Sequence, residues 1–92
     1  MPQIKNKKLL EDLQLKGYLG ENCLSSIEWW LRDIKQIHCE IFFSMFHKKW
    51  FINNYFIDLK KLKKIEHGLK ETRFESYNDA LEFAIQQMLL KI

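Results

Sequence analysis

The stretch IHCEIFFSMFHKKWFINNYFIDL, residues 37–59, decides how this chain folds. Its first part alternates with a period of two. Ile37, Cys39, Ile41, Phe43 and Met45 fall on one side, and His38, Glu40, Phe42, Ser44 and Phe46 on the other. Successive side chains of a strand point to opposite faces, so the first set reads as a core face. After His47-Lys48-Lys49, residues 50–59 are again rich in the aromatic and β-branched types that strands favour. Two strands about a short polar turn make a hairpin. The turn has no Asn-Gly or Asp-Gly pair, which leaves its length and register open. Ile52 and Phe56 match the apolar side of the first strand, so Trp50, Ile52, Asn54 and Phe56 are expected to face the core. Phe42, Phe46, Phe51 and Tyr55 then share the outer face. A slip of one residue would exchange the two faces of the second strand.

Helices flank this hairpin. Upstream, Ser25-Ser26-Ile27-Glu28 has the form of a capping box, followed by Ile27, Trp30, Leu31 and Ile34 at i, i+3, i+4 and i+7. This spacing predicts an amphipathic helix over residues 25–36, with Trp29 off its apolar stripe. Leu9, Leu10 and Leu13 fall at helical spacing ahead of Gly17, suggesting a shorter helix at about residues 5–16. Downstream, Ser76 with Asp79 three residues later is a second capping signal, and Asp79 and Glu82 suit a helix N-terminus. Leu81, Ala84, Ile85, Met88, Leu89 and Ile92 then form an unbroken apolar stripe over residues 77–91. Between hairpin and last helix, Leu59, Leu62, Ile65 and Leu69 suggest a short helix or structured loop. A brief third strand fits residues 71–74. The expected architecture is α+β in the order α-α-β-β-(β)-α: a small antiparallel sheet of two to three strands, packed on one face by helices.

Composition agrees with one domain over residues 1–92. The 92 residues are 47% hydrophobic and 29% charged, with three Gly and one Pro, which excludes a disordered or low-complexity chain. A chain this short buries only about two-thirds of its unfolded surface, enough for one core and little more. Three Trp, three Tyr and seven Phe are many for such a core. Cys23 and Cys39 lie far apart without metal-site spacing, and a secreted domain of this size would usually carry more cysteines. Reduced thiols in a cytoplasmic protein are therefore expected. Glu11 and Asp12 interrupt any signal-peptide core, and no apolar run reaches the roughly 18 residues of a membrane helix.

The motifs of residues 25–92 resemble small uncharacterised α-β-β-α proteins of bacterial phages and mobile elements. The likeness rests on the helix Ser26-Ile27-Glu28-Trp29-Trp30-Leu31-Arg32, the aromatic hairpin, and the closing segment Phe74-Glu75-Ser76-Tyr77-Asn78-Asp79-Ala80-Leu81. It implies a fold and a mobile-element setting, and carries no catalytic residue.

No reactive constellation stands out. His38, His47 and His67 lack the convergent spacing of a metal site, and Cys39 points away from its neighbour His38 across the strand. Glu11, Asp12, Glu21, Asp33 and Glu82 read as solvated faces, and there is no glycine-rich phosphate loop. The chain is thus expected to be non-enzymatic, with no cofactor, no metal and no small-molecule substrate. Two binding surfaces are expected instead. The first is the outer aromatic face of Phe42, Phe46, Phe51 and Tyr55, with Trp29 and Tyr18 as further anchors, serving a homodimer or a heterologous protein partner. The structural alternative is that the N-terminal helix or residues 58–70 fold over that face and make it core. The second surface is basic. Between residues 48 and 73 eight Lys and Arg stand against three acids, within a chain of net charge +3. Lys48, Lys49, Lys60, Lys61, Lys63 and Lys64 beside aromatic rings are the ingredients of nucleic-acid binding.

Overall fold

The computed structural model describes residues 2–69 and 73–92. Its order is α1 (Lys7–Leu15), α2 (Leu24–Asp33), β1 (Ile37–Ser44), β2 (Lys49–Asp58), β3 (Lys63–Glu66), β4 (Arg73–Phe74) and α3 (Tyr77–Leu89), an α+β fold with an antiparallel sheet. β2 lies at the centre, with β1 along one side. β3 and β4 pair with different parts of its other side, so the sheet has one strand more than expected. The first two positions of the brief strand expected at residues 71–74 fall outside the described residues.

The hairpin register follows the expected faces at Trp50, Ile52 and Phe56, but Asn54, expected to face the core, is exposed because it lies in the irregular stretch of β2. Phe43 pairs with Trp50 and Ile41 with Ile52, then the ladder shifts and Cys39 pairs with Phe56. Glu40 thus stands against Asn53, Asn54 and Tyr55. β2 carries two extra residues there, and because the number is even, Ile52 and Phe56 stay on the same, buried face.

The turn at each end of β2 has the same construction. Between Ser44 and Lys49 four residues connect the strands, the last of them, Lys48, at φ +54°, and Ser44 Oγ accepts the His47 N–H at 3.3 Å. Between Asp58 and Lys63 four residues again connect, the last, Leu62, at φ +55°, and Asp58 Oδ1 accepts the Lys60 and Lys61 N–H groups at 3.0 and 3.1 Å. A strand-end side chain thereby holds each turn, as Ser and Asp do well. This corrects the helix-like reading of Leu59, Leu62 and Ile65. Leu62 is exposed in the turn, whereas Ile65 lies on β3 and packs against the core.

All three helices cover one face of the sheet. Leu9 and Leu13 of α1, Ile27, Trp30 and Leu31 of α2, and the α3 stripe from Ala80 to Leu89 join Ile37, Cys39, Ile52 and Phe56 in one cluster. Asn6 caps α1 by accepting from the Lys8 and Leu9 N–H groups, and Gly17 at φ +104° ends its last turn, as its position predicts. The Lys5 N–H donates to Glu82 Oε1 at 2.8 Å, tying the α1 entry to α3; Glu82 is therefore half-buried in a contact and not a solvated acid.

Two details of α2 depart from expectation. Leu24 is buried and already helical, so the cap falls on Cys23 and the Ser25–Glu28 box does not form. The helix ends at Asp33, leaving Ile34 past the buried stripe and exposed. At α3 the expected cap is present, with the Asp79 N–H donating to Ser76 Oγ at 3.1 Å.

Candidate functional site

With every helix on the inner side, no helix lies over the outer face of the sheet among the described residues. Neither expected cover is there among the described residues: α1 joins the core cluster through Leu9 and Leu13, residues 63–66 extend the sheet edge as β3, and residue 70 of the second expected cover lies outside the described residues. Phe42 and Phe51, opposite each other on β1 and β2, stack at 5.7 Å with planes 14° apart, and Phe42 remains 49% exposed. The His47 ring lies 5.4 Å from Phe51 and 5.0 Å from Phe46, which is 90% exposed at the tip. Rings so placed gain from edge and offset contacts; Phe51 is partly covered, while Phe42 keeps about half of its surface and Phe46 nearly all of it in water.

Tyr55 shares this face beyond the β2 irregularity, with Lys64 Nζ 4.4 Å above its ring. Met45, expected on the core side, sits in the turn and is exposed, because β1 ends at Ser44. β1 is also a sheet edge: its far side pairs with no strand among the described residues. Glu40 is its single charged residue.

Trp29 and Tyr18 belong elsewhere. Trp29 is half-exposed on α2, in the helical layer, where it borders a hollow of about 580 Å³ with Leu19 and Trp30. Tyr18 is 3% exposed, its ring 5.4 Å from Trp30 and its hydroxyl donating to the Glu21 carbonyl. It is core, not an anchor.

The lysines of the basic segment divide between the two ends of β2. Lys48 and Lys49 occupy the hairpin tip, where Lys49 pairs with Glu75. Lys60, Lys61, Lys63 and Lys64 lie at the other turn and on β3, roughly 30 Å away along a ten-residue strand. There Lys35 and Lys91 join Lys60 and Lys61 around a groove of about 290 Å³. Neither of the two added lysines follows from the 48–73 run.

Histidine and cysteine chemistry is local. His67 Nε2 donates to the Asn53 carbonyl at 2.6 Å and its Nδ1 accepts the Leu69 N–H at 3.0 Å, so both ring nitrogens hold the chain after β3. No group of three or more His, Cys, Asp or Glu able to hold a metal ion occurs among the described residues. Cys23 and Cys39 are both free. Burial, reinforced by Glu28 and Glu40, pushes the Cys39 thiol up to about 12 from an ordinary 9.0. Cys23 is lowered to about 7 by the Ser25 hydroxyl, 3.2 Å away, and by the Ser26 amide.

Both thiols are buried, at 3% and 5% exposed, so alkylation by iodoacetamide needs an opening: Cys23, at a helix start, is expected to be trapped through local opening as pH passes about 7, and Cys39 only on global unfolding. Equal labelling of both in the native protein, read by mass spectrometry, would contradict this. Because the folded Cys39 value lies above the unfolded one, its thiol favours the fold below about pH 9, and that contribution falls away as pH rises toward 12.

No protein-family model, curated protein or solved structure matches this chain. No helix among the described residues is long and apolar enough to cross a membrane.

Proposed function

We propose that the protein is a non-enzymatic interaction module that self-associates through the β1 edge and the aromatic outer face beside it. The feature that carries this assignment is Phe42, stacked on Phe51 and half-exposed, on a face and a strand edge that no helix or strand covers among the described residues. Exposed apolar edge strands are ready templates for further pairing, and natural proteins usually guard them with charge or proline. Here Glu40 alone does so.

A second copy of β1 fits this edge in a two-fold antiparallel register centred on Phe42. That register sets Phe42 against its own counterpart, Ile41 against Phe43, and Glu40 against Ser44. It preserves the inner and outer faces of both sheets and extends the Phe42–Phe51 stack into a row of four rings. Centring on Glu40 would oppose two carboxylates, which is unfavourable. A dimer also removes from water the half-exposed Phe43, on the inner side of the same edge. An accessory role in a phage or mobile element accompanies this reading, on the strength of the motif resemblance alone.

Sedimentation equilibrium at micromolar concentration is expected to give twice the 11.3 kDa chain mass. Phe42→Lys should return it to the monomer with an unchanged circular dichroism spectrum, since that ring is outside the core. A monomer at several hundred micromolar overturns the proposal. So does a dimer dissociated by Phe46→Lys but not by Phe42→Lys, because the contact would then be the hairpin tip.

A further inference from the structure

We infer that the far end of β2 carries a second binding site, a lysine-rimmed groove that takes the phosphodiester backbone of a single-stranded nucleic acid. Lys35 leaves the α2–β1 connection, Lys60 and Lys61 the β2–β3 turn, and Lys91 the segment after α3; all four are exposed and line one groove over Ile37 and Ile65. The fold holds their loops together: the Leu59 N–H donates to the Gln36 carbonyl at 2.8 Å, joining the turn of Lys60 and Lys61 to the residue beside Lys35. Gln36 itself takes φ +61°, which turns the chain sharply there, and its side-chain amide donates to the Asp33 carbonyl at 3.0 Å.

Charge balance points to an anion. Among the described residues the one side-chain carboxylate lining the groove is Asp58, which uses an oxygen to accept the Lys60 and Lys61 backbone N–H groups. The ion pairs formed among the described residues involve Lys5, Lys8, Arg32 and Lys49, none of them from this cluster. Four lysines about one side-chain carboxylate, with Lys35 Nζ resting 5.3 Å from the Trp30 ring centre, leave an excess of positive charge that raises the local potential and attracts a polyanion.

Two observations favour an extended strand over a compact phosphate compound. The cationic band gains Lys63 and Lys64 on β3, one on the inner and one on the outer face, more charges than one phosphate cluster can meet. It also ends against a ring, with Lys64 Nζ over Tyr55 on the outer face. Cations for phosphates beside a ring for an unstacked base are what single-strand recognition requires. The groove shares no residue with the Glu40–Ser44 stretch of the dimer register, so dimerisation can fail without touching the lysines, and the reverse holds too.

The test is fluorescence anisotropy of a labelled 12-mer homopyrimidine strand, titrated with the full chain from low to moderate salt. With four lysines on phosphates, log affinity should fall against log salt with a slope of about −3, following roughly −0.7 per contact for single strands. Lys35→Gln with Lys91→Gln should weaken binding at least tenfold and remove about half of that slope, whereas Lys48→Gln should leave affinity within twofold. These lysines are exposed, so thermal melting is expected to match the parent. Absence of binding at low salt overturns the inference. It is equally overturned if Lys48→Gln costs as much as the groove pair, or if inorganic tripolyphosphate competes as strongly as unlabelled strand, since the groove would then read charge or phosphate clusters and not a strand.

Discussion

Phe56→Ala is expected to lower the unfolding free energy by about 3–5 kcal/mol, the range for deleting a large ring from a packed core. Phe56 is fully buried at the middle of the sheet, with Cys39 across one ladder and Ile65 across the other. The His67 ring lies 4.7 Å from it, so the side chain also anchors the chain leaving β3. A domain of this size is stable by about 5–15 kcal/mol in all, and the variant should lose about a fifth or more of that. Urea unfolding gives the measurement. The matched control is Phe42→Ala in monomeric protein at high dilution, where the half-exposed ring should cost under about 1.5 kcal/mol. Equal losses for the two rings would mean that the inner and outer faces are wrongly assigned.

Leu13→Ala carries the second large effect, about 2–5 kcal/mol. The site is fully buried in the core cluster, though α1 is only nine residues long and would not hold as an isolated helix. Its stability must come from packing. Leu15→Ala, two residues on and exposed, should change stability by no more than about 0.5 kcal/mol. Were Leu13→Ala as mild as Leu15→Ala, α1 would not belong to the cooperative unit, and the apolar faces it covers would need another explanation.

How far these features could be read in advance depends on where the determining interactions lie. The hairpin and α3 were legible because each repeats a single period over many residues, and Ser76 announces the helix start within four positions. The face of Trp50, Ile52 and Phe56 was legible from apolar matching alone. β3 was not, because Leu59, Leu62 and Ile65 happen to fall at a spacing of three. The usable signal was Asp58 followed by four turn residues and Lys63, which repeats the pattern of Ser44 and Lys49. The α2 start was misplaced by one residue since two nearby serines and a buried Leu24 compete for the boundary, and burial won. Of the candidate surfaces, the stacked Phe42 and Phe51 followed from alternation. The lysine groove did not, because Lys35 and Lys91 reach Lys60 through the fold.

The paired asparagines of β2 carry a consequence for how this chain can vary in length. Asn53 and Asn54 lie where β2 spends three residues against Glu40, with the Asn54 N–H held by Asn53 Oδ1 at 2.9 Å. Loss of one residue there would turn Lys49 through Ile52 over relative to Phe56, sending Trp50 and Ile52 into water and Phe51 into the core. Loss of both would leave every side chain on its present face and only straighten the strand. The hairpin is therefore intolerant of single-residue insertions and deletions at this point yet permissive of double ones, and descendants of this sequence should differ in length here by even steps.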